Sequence, residues 1–255
     1  MFSKHIIKQS ISSNWKLWTI LTGGLVLITA LILLAFTQAS QAQDLDVLLP
    51  VEQLIGQAIL TPTGMGGFLM LILAIVIGNK LVAKEVDSGS LSFALNTQTT
   101  RAQILFSKAI VYFCMFLLYS TLVSLTAVLM SNTSANVKVD IGKVFNLAIG
   151  FVLYSFAISS FCFAASCWFD KVSWSLLVGA GIPVLFTILG MIVPALTQQE
   201  QLQSFFKSIT VTTLFDAPAI LNGENVAGSF VALALIGALL YTVGIVKFLK
   251  KDLPL

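Results

Sequence analysis

Six stretches of mostly apolar residues, 17–36, 64–82, 109–130, 144–169, 174–193 and 226–248, constrain this chain more than any other feature. A helix rising 1.5 Å per residue needs about 20 such residues to cross about 30 Å of hydrocarbon, and each stretch has roughly that length. Lipid offers no partner to an unpaired backbone N–H or C=O, so helices, which satisfy these groups internally, are the expected form. Composition agrees: hydrophobic residues make up 57% and charged residues 10%, where soluble domains carry about 25% charged. The expected fold is all-α and polytopic, one transmembrane domain over residues 1–255. The second stretch is interrupted near its end by Asn79 and Lys80, but a lysine there can snorkel to the interface.

Charge at the ends of the stretches orients them. With the termini and the second-to-third and fourth-to-fifth connections on one side, the opposite side holds only Lys138, Lys143 and Lys207 of the 14 Lys and Arg. The positive-inside rule then puts both termini in the cytoplasm of a plasma-membrane protein, which an even number of spans permits. The first stretch follows a basic start, yet its apolar run exceeds the 7–15 residues usual for a signal peptide, so it reads as a true span. Ahead of it, Phe2, Ile6, Ile7, Ile11, Trp15 and Trp18 recur at largely helical spacing, with Lys4, Lys8 and Lys16 mostly elsewhere. This pattern predicts an in-plane amphipathic helix; the plainer alternative is a basic flank that only sets topology. On the other side, 38–63 is acidic and contains apolar residues from Leu48 to Ile59 that suit a short interfacial helix. A second excursion, 194–225, has apolar pieces too short to span, expected at the interface or dipping partway in. Pro183 is expected to kink the fifth span.

Several chemistries lack their residues. The cores of the six stretches contain no Asp, Glu, Arg, Lys or His, the groups through which proton or sodium coupling usually runs. HExxH, GxSxG and GxxxxGK[ST] do not occur, so neither catalysis nor ATP binding is expected, and no cofactor or metal site is expected in this chain. Cys114, Cys162 and Cys167 lie in apolar stretches without a CxxC pair and read as packing residues. His5 has no acidic or thiol companion. The basic residues form no patch interleaved with aromatics, which gives no basis for nucleic-acid binding. Transport powered by a partner remains, and it requires a docking element.

The long basic-side connection from Lys80 to Arg101 is the candidate. Residues 86–95 can form a short helix with Asp87 or Ser88 as N-cap and Leu91, Ala94 and Leu95 on one face. Such a helix lying along the membrane surface would wedge into a groove on a soluble partner. A solvated turn between two spans is the simpler reading.

Glu85-Val-Asp-Ser-Gly89-Ser-Leu91, Leu95, Thr100-Arg101-Ala-Gln-Ile104 and Lys108 resemble the stretch after the second span in permeases of the type 2 ABC exporter class. Those permeases show Glu, Gly-Thr, a leucine-rich turn, Pro-x-Ser-Arg, an aliphatic residue and a Lys opening the third helix. This chain departs at Ser90, Gln98 and Thr100, where Thr, Pro and Ser are usual; the missing proline bears on the geometry of the turn. The resemblance implies a coupling helix over 86–95, with Val86, Asp87, Gly89, Leu91 and Leu95 contacting a separate ATPase subunit and Glu85 and Arg101 anchoring its ends. It also implies ATP and Mg on that partner, a second permease chain as homodimer or heterodimer, and outward movement of cargo. The amino-terminal amphipathic helix would match the family's connecting helix, and 194–225 its half-inserted hairpin. Spans free of charge suit an amphiphilic cargo such as a hydrophobic peptide, lipid or drug. The serines and cysteines of the fourth span, Ser155 to Cys167, read first as helix-packing residues. The rival functions are an ATP-independent channel or carrier and a non-transporting peptide-immunity membrane protein.

Overall fold

The computed structural model describes residues 4–42, 59–89, 100–133, 140–193, 206 and 210–251. Among these, six helices are long and apolar enough to cross a membrane. They are α1 (Lys4–Ala42), α2 (Met65–Leu81) continued by the short α3 (Ala83–Asp87), α4 (Arg101–Thr133), α5 (Ile141–Trp168), α6 (Val172–Ile192) and α8 (Ala227–Lys250). Between α6 and α8 lie a 3-10 turn, η1 (Val211–Leu214), and α7 (Ala217–Leu221). The chain is an integral membrane protein of all-α architecture.

The hub is α5, which packs against α8, α4, α6 and α2. Of its most apolar window 67% is buried, against 22% for α6 and α8 and 17% for α1. Hydropathy does not explain this rank, since α6 and α8 are slightly more apolar than α5. Small residues do. The buried side of α8, Leu233, Gly237, Tyr241, Gly244 and Phe248, repeats at steps of four, four, three and four, which gives a narrow seam. A Cβ at Gly237 would lie 2.4 Å from Cε1 of Phe156, so glycine is what lets α8 close on α5. Hydroxyls complete the contacts: Ser159 and Tyr241 share a hydrogen bond of 3.0 Å, while Tyr112 and Tyr119 of α4 donate to the Ala74 and Gly66 carbonyls of α2.

Two expectations change in detail. The amphipathic segment and the first span form one uninterrupted helix, α1, because no Gly or Pro breaks Asn14-Trp-Lys-Leu-Trp18. Trp18 is held there by its Nε1–H, which donates to the Met115 carbonyl at 3.0 Å. Pro183 lies inside α6, which runs on past it to Ile192. It has no N–H for the Gly179 carbonyl one turn earlier, and the Cys162 thiol donates to that carbonyl instead, at 3.1 Å. Ser155 and Ser160 of α5 are buried and donate within their own helix, to the Phe151 and Ala157 carbonyls. Finally, η1 and α7 are packed into the bundle, with Phe215 buried and stacked on Tyr154 and the Thr212 hydroxyl donating to the Phe186 carbonyl. The interfacial helix expected from Leu48 to Ile59 falls, Ile59 excepted, outside the described residues.

Candidate functional site at the basic end of the bundle

The junction between α2 and α3 begins the site. At Val82 the backbone leaves the helical region, with φ −126° and ψ −56°, and two backbone groups of the helix lose their ordinary partners. Both are recovered by side chains from other helices. Ser166 of α5 accepts from the Ala83 N–H at 3.0 Å, and Lys108 of α4 donates to the Leu81 carbonyl at 2.7 Å. The ammonium of Lys108 also pairs with the Glu85 carboxylate. Lys108 is 4% exposed, so it is a cation buried at a helix break and compensated by one carboxylate and one carbonyl. That arrangement ties α2, α3 and α4 at one point.

The remaining site residues extend the tie. Asp87 Oδ2 accepts from the Val172 N–H at 3.3 Å, which fastens the end of α3 to the first turn of α6. Arg101 donates to the Lys251 carbonyl at 3.4 Å, joining the start of α4 to the end of α8. Lys251 in turn pairs with Asp170 at 2.7 Å and donates to the Trp168 carbonyl, and Lys247 lies 4.8 Å over the Trp168 ring. Val86 packs partly buried against the core. Every span except α1 therefore meets the Glu85–Arg101 region directly or through one intermediary, α5 through Ser166.

The predicted coupling helix over 86–95 changes at its start. Val86 and Asp87 belong to α3, whose helix-favouring Ala-Lys-Glu run begins three residues earlier. Ser88 is helical, with φ −82° and ψ −4°, and stands as the C-cap of α3, so neither it nor Asp87 is an N-cap. Gly89 follows with φ +69°, a left-handed conformation that glycine adopts without a Cβ clash, and its N–H donates to the Val86 carbonyl. Leu91 and Leu95 lie outside the described residues.

Two features escaped the reading of the sequence. One is the capping box Thr100-Arg-Ala-Gln103: the Thr100 hydroxyl accepts from the Gln103 N–H at 3.3 Å and the Gln103 side chain from the Thr100 N–H at 3.2 Å. Its signal, Thr followed three residues on by Gln ahead of an apolar run, was present in the motif. The other is the partnership of Lys108 with Glu85. Only opposite charge at the two margins of the connection hinted at it. Among the described residues there is no group of three or more His, Cys, Asp or Glu placed to hold a metal ion. The site is a set of hydrogen bonds and ion pairs that tie helices together at this end of the bundle.

The sequence profile of the ABC-2 family transporter proteins matches residues 8–253, and the chain belongs to that family. A comparison with curated proteins finds no match. Membership makes the chain the permease component of an ABC transporter, a membrane transport component of a class that works with ABC ATPase subunits.

Proposed function

We propose that the chain is the transmembrane subunit of an ATP-driven exporter that moves an amphiphilic cargo, a hydrophobic peptide, lipid or drug, toward the outer leaflet. It lies in the plasma membrane with both termini in the cytoplasm, pairs with a second permease chain, and receives force at residues 85–101 from an ATPase that carries ATP and Mg. The observation that carries this reading is the Glu85–Lys108 pair at the break after α2. A connection held to two spans by a buried charge, and to two more by Asp87 and Arg101, moves those spans when it is pushed. Nucleotide closure of the ATPases would push it; rocking of the paired permeases would follow.

Copurification tests the contact. The cognate ATPase is expected to stay with the wild-type chain and to be lost from folded Glu85→Ala and Arg101→Ala variants. Unchanged ATPase retention and unchanged stimulated hydrolysis in both variants would overturn the assignment. Solute flux in liposomes that hold this polypeptide alone, without nucleotide, would instead favour the channel or carrier.

A further inference from the structure

A groove of about 650 Å³ lies between α2, α3 and the start of α6, and its lining changes character along the helices. Its inner part is apolar, with Ile75 on α2 facing Leu176 on α6. One to two turns nearer the connection it is polar, lined by Asn79, Lys80 and Lys84. Both lysines are exposed, and neither makes a hydrogen bond or ion pair among the described residues. Asp87 shares the lining, but its Oδ2 is engaged by the Val172 N–H, and two ammonium groups against one carboxylate leave the mouth positive. Asn79 Oδ1 is shielded from solvent and has no hydrogen-bond partner, a costly state for an amide oxygen unless something donates to it.

We propose that this groove binds an anionic phospholipid, with an acyl chain along Ile75 and Leu176 and the phosphate between Lys80 and Lys84. The apolar depth selects a lipid over a free phosphate, since a soluble anion would leave that surface bare. The paired lysines select an anionic over a zwitterionic headgroup by charge complementarity. The inference needs the chain to be in a membrane and does not depend on the direction of transport or the nature of the cargo.

The test uses the full chain purified in detergent and offered equal amounts of phosphatidylglycerol and phosphatidylcholine, with retained lipid counted by native mass spectrometry. Wild type is expected to retain phosphatidylglycerol preferentially. K80Q/K84Q is expected to lower that retention by about fivefold per charge removed, while K80R/K84R and the distant K143Q leave it unchanged. Raising the salt on wild type should weaken the preference without any substitution, which keeps the test valid if K80Q/K84Q fails to fold. Equal retention of the two lipids by wild type, a preference that survives both K80Q/K84Q and high salt, or retention of neither lipid, as when another protein segment fills the groove, would overturn the proposal.

Discussion

The seam between α5 and α8 and the junction among α2, α3 and α4 are both buried helix contacts, yet they are built from opposite materials. The seam is neutral and close: Gly237 and Gly244 admit Phe156 and the backbone at Ala164, and a Ser159–Tyr241 hydrogen bond locks the register. The junction is charged and discontinuous: a helix break, a buried ammonium and one carboxylate that is a third exposed. Lipid gives no hydrophobic push between helices, so the seam depends on shape, and shape admits one arrangement. A charged contact at the margin of the bundle can exchange partners when its elements shift. The seam therefore fixes its helices by shape, and the junction holds its helices by charge.

That contrast can be broken at either place. The largest effect is expected from Gly237→Leu, because even a Cβ at this position lies 2.4 Å from the Phe156 ring. Overpacking of this kind costs about 3 kcal/mol, and thermal unfolding in detergent should show it directly. Next comes Glu85→Ala, which leaves Lys108 buried with only the Leu81 carbonyl. Breaking a buried pair costs about 3–5 kcal/mol, and the partial exposure of Glu85 reduces this to about 2 kcal/mol. Replacing both partners in E85Q/K108M should recover only part of that loss in the same unfolding measurement, since no unpaired charge remains but the Leu81 carbonyl loses its donor. Cys162→Ala removes the donor that serves the Gly179 carbonyl opposite Pro183 and should cost about 1 kcal/mol, which Cys162→Ser partly restores. The smallest change is expected from Thr100→Ala, about 0.5–1 kcal/mol, read as faster amide exchange in the first turn of α4 and not as a lower midpoint.

The spans were legible because 20 apolar residues in lipid have one backbone solution, and six helices stand where the six apolar stretches do. Which helix lies at the centre was not legible from hydropathy, since a lipid-facing surface is as apolar as a buried one. Its signs were Gly, Ala and Ser at close spacing, and they were read for Ser155 to Cys167 as packing without the further step to centrality. The continuity of α1 was missed because the change from amphipathic to uniformly apolar pattern at Leu17 suggested a corner where no residue enforces one. At the site, the resemblance alone makes Glu85 and Arg101 anchors and Asp87 a contact to the partner. Their partners, Lys108, the Val172 N–H and the Lys251 carbonyl, are remote in sequence or belong to the backbone, and no local pattern encodes them.

The central claim is that force enters through the junction, and stimulated ATP hydrolysis by the reconstituted complex in proteoliposomes tests it most directly. E85Q/K108M, with the charge pair removed, is predicted to stay folded with a modestly lower unfolding temperature while its ATPase falls to the rate seen without permease. Full stimulation by that variant would contradict the account, because the spans would then be responding to the ATPase without the contact assigned to carry the push.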